Sequence, residues 1–187
     1  MHDRLTAEPI RLTYEDFRAL PDDGKRYEIL DGDLYMSPSP ITQHQRFVAR
    51  LHVILTLHVN QHRLGEVFVS PYDVVLGRHD VVEPDLLFVA RENSQIVTAK
   101  NIQGVPDLLV EVLSDSTRER DLRDKRNIYA RCGVPWYWIV DPEGPRVMEL
   151  KLMDRAYAVV AEVSGKANWT PELFPNLAIG LPELTAS

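Results

Sequence analysis

Acidic side chains begin or lie within two apolar segments of this sequence. Pro84-Asp85 precedes Leu86–Val89, and Pro106-Asp107 precedes a second apolar run that itself contains Glu111. Proline suits the first position of a strand because it donates no ladder hydrogen bond. An ionised carboxylate inside such a run is costly to desolvate unless it is paired or binds a cation. Glu111 is therefore expected to have a partner.

A divalent cation is one partner that two such carboxylates could share. Oxygen ligands suit Mg²⁺ and Mn²⁺, and Mg²⁺ typically binds one or two carboxylates together with water and substrate phosphate. Asp85 and Glu111, at neighbouring strand ends, are the candidate ligands. Lys125 follows on the next predicted helix, four residues after Asp121, so these two side chains share a helix face. A lysine there could stabilise a phosphorane-like transition state or hold an attacking water.

Each of these residues also has an ordinary structural interpretation. A buried strand glutamate can pair with an arginine, and Pro-Asp at a strand start is common turn chemistry. Helix lysines are mostly solvated. Any one of these features, taken alone, indicates a structural role more often than a catalytic one, because buried acids also occur in structural ion-pair networks. The order of several features along the chain is more specific than any one of them.

An ordered set of motifs runs through nearly the whole chain. It consists of Tyr27–Leu34, Ser37-Pro38 before a helix bearing His44, Pro84-Asp85, Glu111–Ser114, Asp121–Tyr129 and Gly133–Pro142. This set resembles the putative restriction endonuclease family within the PD-(D/E)XK nuclease superfamily. The resemblance implies one α/β (α+β mixed sheet) domain over residues 1–187, with a restriction-endonuclease-like core and flanking helices. It also implies Mg²⁺- or Mn²⁺-dependent hydrolysis of DNA phosphodiester bonds and a homodimer, since cutting two strands usually needs two sites.

The resemblance also implies roles for individual residues. Asp85 matches the aspartate of the superfamily motif, and Glu111 matches its second acid. Two residues later stands Leu113, where the superfamily motif has lysine, and Lys125 on the following helix looks like the displaced lysine. Glu28 matches the upstream acid of the family and is expected to be an auxiliary ligand to metal or water.

Three histidines on the predicted long helix are candidate ligands. His44, in its first turns, is by itself a surface or capping residue, and its family position makes it a candidate contact to phosphate or to a metal ligand. His58 and His62 are four residues apart, a spacing seen in zinc sites. The glutamate of the HExxH motif and a third ligand are missing, so we expect them on a solvated face.

The charge balance limits the possible partners. A net charge of −7, from 21 basic and 28 acidic residues, argues against a passive nucleic-acid binder. It leaves room for an enzyme whose carboxylates hold a metal against a phosphate. Residues 118–131 carry six basic and three acidic side chains. They form either a salt-bridged helix surface or a phosphate-facing patch beside the metal, and we favour the patch because it contains Lys125.

The elements that must position these residues follow from periodicity and turn signals. A hairpin is predicted around Asp31-Gly32, because this dipeptide favours a type I′ turn. The long helix is predicted from Thr42 to about His62 by a buried stripe of apolar residues, with Gly65 as its stop. Asp107–Leu113 is the most apolar strand and is expected to be central. Further expectations are a turn at Gly77–Asp80, a polar loop at Arg91–Gly104, a helix at 118–131 stopped by Gly133, an antiparallel pair at 147–152 and 157–163, and a surface tail from Trp169.

Several protein classes are excluded or disfavoured. The apolar run from Phe47 to Val59 is interrupted by charged and polar side chains, so no membrane span is predicted. Met1–Arg4 contains no apolar core of a signal peptide, and a cytoplasmic protein is expected. Cys132 is the single cysteine, which excludes an internal disulfide and a multi-cysteine metal site.

Three functions are compatible with these features. The first is a Mg²⁺-dependent endonuclease built on Asp85, Glu111 and Lys125. The second is a catalytically silent nuclease-like module that binds protein or DNA and acts as a dimer. The third is a metal-dependent hydrolase that uses the same site on a substrate other than nucleic acid. The sequence does not determine whether the substrate is DNA or RNA, whether cleavage is sequence-specific, or how many metal ions bind.

Overall fold

The computed structural model describes residues 10–185, so Met1–Arg4 lies outside the described part of the chain. The helices are α1 (Tyr14–Arg18), α2 (Thr42–His62), α3 (Arg126–Cys132) and α4 (Leu181–Thr185), with a 3₁₀ helix at Arg91–Ile96 and a π-helical segment at Arg120–Lys125. The strands are β1 (Arg26–Leu30), β2 (Asp33–Ser37), β3 (Gly65–Val69), β4 (Val74–Gly77), β5 (Asp80–Val82), β6 (Leu86–Ala90), β7 (Ile102–Gln103), β8 (Leu108–Val112), β9 (Trp136–Asp141), β10 (Arg146–Met153), β11 (Ala156–Ser164), β12 (Asn168–Trp169) and β13 (Ile179–Gly180).

Two mixed sheets form the architecture. The larger one has six strands in the order β11-β10-β9-β8-β6-β3, and only its β8–β9 pair is parallel. The smaller one has five strands in the order β2-β1-β5-β4-β7, with a parallel β4–β7 pair. The predicted mixed α/β architecture with flanking helices is confirmed. The expectation that residues 107–113 form an interior strand is also confirmed, since β8 lies between β6 and β9.

Helix α2 covers one face of the larger sheet, as its apolar stripe predicts. Phe47, Leu51 and Leu55 are almost completely buried there against residues such as Phe88 and Val110. Burial of such side chains contributes roughly 1.5–3 kcal/mol each to stability. The helix therefore fixes its own N-terminus against the edge of the sheet where β6 begins.

The end of α2 differs from its prediction. Arg63 adopts the left-handed conformation, with φ 55°, and its N–H closes the helix on the carbonyls of Asn60 and Val59. Gly65 instead begins β3, where a Cβ atom would lie 2.0 Å from the carbonyl oxygen of Val89. Gly65 is thus required by the close approach of two strands, and the interpretation of this glycine as the helix stop is wrong.

The opposite face of the larger sheet packs against α3 and the smaller sheet. Leu87, Leu109 and Tyr137 of the larger sheet are buried there with Val82 of β5 and Tyr129 of α3. Alternation along β9 sends Trp136 and Trp138 to the α2 side and Tyr137 to this side, and all three are buried. These aromatic residues therefore pack in the core of the chain itself.

The C-terminal tail is part of the core, and its predicted place on the surface is wrong. Trp169, Phe174, Leu177 and Leu184 are buried on the α2 side of the larger sheet. The indole Nε1 of Trp169 donates a hydrogen bond to Glu149 at 3.1 Å. These apolar residues are separated by prolines and polar residues without a regular period, so no sequence signal indicates their burial.

Other local features differ from the predictions. The segment 91–104 contains a 3₁₀ helix and β7 instead of an irregular loop, and Asp80 begins β5 directly after the turn. Residues 120–125 are π-helical, while Gly133, with φ 85°, ends α3 as predicted. In the part of the chain between residues 10 and 185, no helix has the length and apolar character needed to cross a membrane.

Candidate active site

A cleft of about 180 Å³ opens beside the N-terminus of α2. One wall is the connector from Ser37 to Ile41 and the first turn of α2. The other wall is formed by residues 112–118 and the loop after β9. Its charged and titratable lining residues are Arg26, Glu28, His44, Glu83, Asp85, Glu111, Asp115, Arg118, Asp121, Lys125 and Glu143. The six residues singled out from the sequence as site candidates all line this cleft.

Strand pairing brings Asp85 and Glu111 together. Strands β6 and β8 are antiparallel, with Leu86 opposite Val110, so the same register extended by one residue places Asp85 opposite Glu111. Side chains alternate along a strand, and opposite residues share a face. The carboxylate of Asp85 also accepts a hydrogen bond from the backbone N–H of Val112 at 2.8 Å. The predicted proximity of the two acids is thus present in the structure.

Lys125 lies at the centre of the buried acids. Its Nζ is 2.8 Å from Oε1 of Glu28, 2.9 Å from Oε1 of Glu111 and 3.7 Å from Oδ1 of Asp121. The π-helical segment directs both Asp121 and Lys125 inward, and single π-helical turns are frequent at functional sites. The structure therefore brings Lys125 into direct contact with Glu111.

Two donors hold the same oxygen of Glu111. Oε1 accepts a hydrogen bond from the ammonium of Lys125 at 2.9 Å and one from the hydroxyl of Tyr129 at 2.7 Å. Its Oε2 takes no hydrogen bond from any residue of the described range 10–185. Hydrogen bonds to Oε1 thus fix the orientation of the carboxylate, while Oε2 can still accept a bond from a ligand. Sequence reasoning missed Tyr129, although its position one turn after Lys125 was a usable signal.

His44 is buried and bonded to Asp85, so its interpretation as a surface or capping residue is wrong. Its Nε2 lies 3.1 Å from Oδ2 of Asp85, and its side chain is 8% exposed. The imidazole Nδ1 is buried without a hydrogen-bond partner among residues 10–185. His44 therefore orients the carboxylate of Asp85.

Glu28 connects the smaller sheet to this site. Its Oε1 accepts the backbone N–H of Glu83 at 2.9 Å and also faces Lys125, while its Oε2 accepts from the hydroxyl of Ser37 at 3.3 Å. Both of its oxygens therefore have partners. Glu28 positions the ammonium of Lys125 and the segment that leads to Asp85.

Burial dominates the electrostatics of the site. It raises the pKa of Glu111 well above its ordinary value, against the opposing effect of Lys125, and the nearby charges of Asp121, Asp85 and Glu28 add to the rise. For Lys125, burial lowers the pKa, but the combined charge of Glu111, Glu28 and Asp121 outweighs it and raises the pKa well above the usual value. The lysine is therefore firmly protonated.

The carboxylates of the cleft are ligands of the type that a divalent cation prefers. Glu28, Glu111 and Asp121 share the ammonium of Lys125, and Asp85 lies opposite Glu111, so carboxylates outnumber the ammonium that they surround. A cation would offset this excess of acidic groups. Between residues 10 and 185 no three His, Cys, Asp or Glu side chains are arranged as a ready metal cage. Two carboxylates with open coordination positions match Mg²⁺, which binds few protein ligands and keeps its waters. Asp85 and Glu111 fit this requirement.

The basic residues of 118–131 do not form a patch at the cleft, so that expectation is wrong. Apart from Lys125, the sole member at the cleft is Arg118, which pairs with Asp141 at 2.9 Å. A helix directs successive side chains around its whole circumference, and here most of them find acids or carbonyls. The other partnered members are Arg123 with Asp124, Arg126 with the carbonyl of Tyr157, and Arg131 with Asp80.

The remaining candidates lie away from the cleft. The rings of His58 and His62 are 4.3 Å apart, but His58 is buried beside Phe174, so its expected place on a solvated face is wrong. His62 is exposed, as predicted. Cys132 is half-buried, and burial raises the pKa of its thiol to about 11.

Comparisons with known proteins identify the fold and the family of this chain. The fold is similar to the crystal structure of a putative nuclease belonging to DUF820 from Anabaena variabilis ATCC 29413, with a TM-score of 0.75 and 16% identity. The match covers 94% of this chain and 98% of that one. No curated protein sequence matches the chain significantly. The model of the Uma2 family, described as putative restriction endonucleases, matches residues 14–185, and the chain therefore belongs to this family.

Proposed function

We propose that this protein is a metal-dependent nuclease that hydrolyses DNA phosphodiester bonds in the cleft described above. One observation carries the proposal: Lys125 contacts Glu111 at 2.9 Å, and the β6–β8 register sets Glu111 opposite Asp85. Residues from four separate elements meet there, which a purely structural ion pair does not require. The description of the Uma2 family and the name of the Anabaena protein support the same reaction class.

The proposal assigns a task to each residue of the chain. Asp85 and Glu111 hold Mg²⁺ or Mn²⁺, and His44 together with the N–H of Val112 keeps Asp85 in place. Lys125 and Tyr129 keep Glu111 in place through a shared oxygen. A cation held by Asp85 and Glu111 would supply Lewis-acid chemistry, polarising a phosphate oxygen and lowering the pKa of a water molecule.

Lys125 has a second task in the proposal. Hydrolysis adds water across one P–O bond, so negative charge builds up on the phosphate and on the departing oxygen. A fixed, desolvated ammonium offsets such charge better than a solvated one, because no solvent has to reorganise. Glu28 and Asp121 hold the ammonium where this charge develops.

The test is cleavage of end-labelled DNA by the purified chain with Mg²⁺, with Mn²⁺ and with a chelator. We expect Glu111→Gln to reduce the rate by about 100-fold or more, as for loss of a group that acts on the transition state. Glu149→Gln is the matched control, because Glu149 is also a buried strand glutamate but binds Trp169 away from the cleft. Equal rates for Glu111→Gln and the unaltered protein would contradict the proposal. DNA binding without any turnover would instead identify a catalytically silent module.

We further propose that the protein is a cytoplasmic homodimer that acts on DNA. A dimer would supply two clefts, and the net charge of −7 predicts weak DNA affinity that depends strongly on metal and salt. Sedimentation measures the oligomeric state, and a parallel assay with RNA of the same sequence tests the substrate. A monomer at all concentrations would overturn the proposed homodimer, and faster cleavage of RNA than of DNA would overturn the proposed substrate.

A further inference from the structure

We infer that the substrate of this cleft is a single nucleic-acid strand or a flexible strand end, and not an intact duplex. This inference rests on the proposed nuclease function and names its substrate class. Three independent properties of the cleft carry it: the depth of the reactive side chains, the closure of the walls and the sign of the charge around the mouth.

Most of the charged groups proposed to act lie deep below the surface. Glu28, Glu111 and Lys125 are 1%, 3% and 4% exposed, the side chain of Asp85 is 16% exposed, and the cleft measures about 180 Å³. A phosphate of a duplex is held beside its stacked neighbours and its partner strand. It can approach only as far as the rim of the cleft allows. A single strand can bend and lower one phosphodiester to the floor.

A hydrogen bond joins the two walls at one end of the cleft. The side-chain Nε2 of Gln43, in the first turn of α2, donates to the backbone carbonyl of Pro142 at 2.8 Å. Both residues line the cleft. The connector before α2 contains Pro38 and Pro40, whose fixed φ angles restrict how far this wall can move aside. We call the Gln43–Pro142 contact the strap, and it keeps the mouth narrow.

The charge around the cleft also disfavours a duplex. The acidic lining residues outnumber the basic ones: Asp115 and Glu143 are exposed, and Glu28, Glu83, Asp85, Glu111 and Asp121 are half-buried or buried in the cleft. Arg118 pairs with Asp141 and Glu143, and Arg26 lies 3.9 Å from Glu83, so little free positive charge faces the mouth. A duplex carries one negative charge per roughly 1.7 Å of its axis, twice the density along one strand. The repulsion is therefore smaller for a single strand.

The direct experiment compares one labelled DNA sequence as a single strand, as a blunt duplex and as a duplex with a single-stranded overhang. With Mn²⁺ and the full chain, we expect the single strand and the overhang to be cut at least about 10-fold faster than the blunt duplex. Cleavage of the blunt duplex at an equal or higher rate would overturn the inference and leave the proposed nuclease function intact. If none of the three is cut, the nuclease function itself fails.

The strap provides a second and more local experiment. Gln43→Ala removes the contact to Pro142, and Gln45→Ala is the matched control, because Gln45 is exposed on the same turn and does not line the cleft. We expect Gln43→Ala to increase duplex cleavage relative to single-strand cleavage by about threefold or more, with an unchanged melting temperature. We expect Gln45→Ala to keep the preference of the unaltered protein. A folded Gln43→Ala variant with the same preference would show that the strap does not exclude the duplex.

Discussion

Two corners of the β6–β8 pair have almost the same local sequence and different surroundings. Pro84-Asp85 leads into β6, and Pro106-Asp107 leads into β8. Because the strands are antiparallel, each aspartate meets the far end of the other strand. Asp85 accepts the N–H of Val112 at 2.8 Å, and Asp107 accepts the N–H of Ala90 at 2.7 Å. Both residues therefore perform the same backbone task.

The difference lies in the remaining bonding capacity of the two carboxylates. Asp107 uses its second oxygen to accept from the amide of Asn93 at 2.7 Å, so both of its oxygens have neutral donors. Asp85 directs one oxygen at both Val112 and His44, and its Oδ1 takes no hydrogen bond from any residue between 10 and 185. Asp85 also faces Glu111 across the strand pair, whereas Asp107 faces the apolar Val89 by the same register. A catalytic role is thus favoured for the aspartate whose carboxylate has an oxygen without a hydrogen bond and faces another charged side chain.

The largest effect is expected from removing the positive charge at the Asp85 corner. Lys125→Met leaves Glu28, Glu111 and Asp121 buried without a counter-charge, which typically costs about 3–5 kcal/mol of stability. Burial raises the folded-state pKa of Glu111 and of Asp121 above the unfolded value, so the protonated form favours folding, and stability falls as pH rises. The loss should therefore be larger at pH 8 than at pH 5 in urea unfolding.

The control for that measurement is Lys151→Met. Lys151 pairs with Glu172 at 2.5 Å, but both side chains are substantially exposed, and such pairs contribute at most about 1 kcal/mol. Equal losses for the two lysine variants would contradict the interpretation of Lys125 as the counter-charge of a buried cluster.

The second prediction compares the two corners directly. Asp85→Asn should lower DNA cleavage by about 100-fold, because the amide replaces a proposed metal ligand. Asp107→Asn should change the rate by less than about threefold, because the carboxylate of Asp107 only accepts hydrogen bonds from the backbone N–H of Ala90 and the side-chain amide of Asn93. Rates measured at saturating Mn²⁺ on folded protein check this pair. Similar losses in both variants would show that the two corners do not differ in function.

The third prediction uses metal binding without turnover. A cation that binds only the folded protein at 100 times its dissociation constant adds about 2.7 kcal/mol of stability. For a chain of this size that corresponds to a rise in melting temperature of about 5–10 °C. The unaltered protein and Asp107→Asn should show this rise with Mn²⁺, and Asp85→Asn should not. A rise that persists in Asp85→Asn would place the metal elsewhere.

The smallest effect is expected from Tyr129→Phe. Glu111 then loses one of the two donors that orient it, and loss of such a supporting bond typically weakens metal affinity by about 10-fold. Tyr157→Phe is the control, because its buried hydroxyl donates to the carbonyl of Val134 away from the cleft. Manganese titration should separate the two variants even if both lose about 1 kcal/mol of stability. Equal affinities would remove the positioning role of Tyr129.

Local chemistry explains which parts of the fold could be predicted from the sequence. The Asp31-Gly32 turn has positive φ at both residues, as a type I′ hairpin requires, and α2 spans Thr42–His62 as its stripe predicts. Signals of this kind act over a few residues and need no distant partner. The buried tail around Trp169 and the π-helical turn at Arg120–Lys125 depend on packing against distant elements, and for that reason no short-range pattern predicted them.

The candidate site likewise has features that the sequence predicts and features that depend on tertiary packing. The sequence by itself determined that Asp85 and Glu111 begin or lie in apolar strands, that Asp121 and Lys125 share a helix face, and that the ordered motifs resemble one nuclease family. Only the tertiary structure decided the partners: His44 bonds to Asp85, Tyr129 shares an oxygen with Lys125, and the basic residues around Lys125 mostly point elsewhere. The physical reason is that a residue type limits which bonds are possible, whereas burial and strand register determine which of them form.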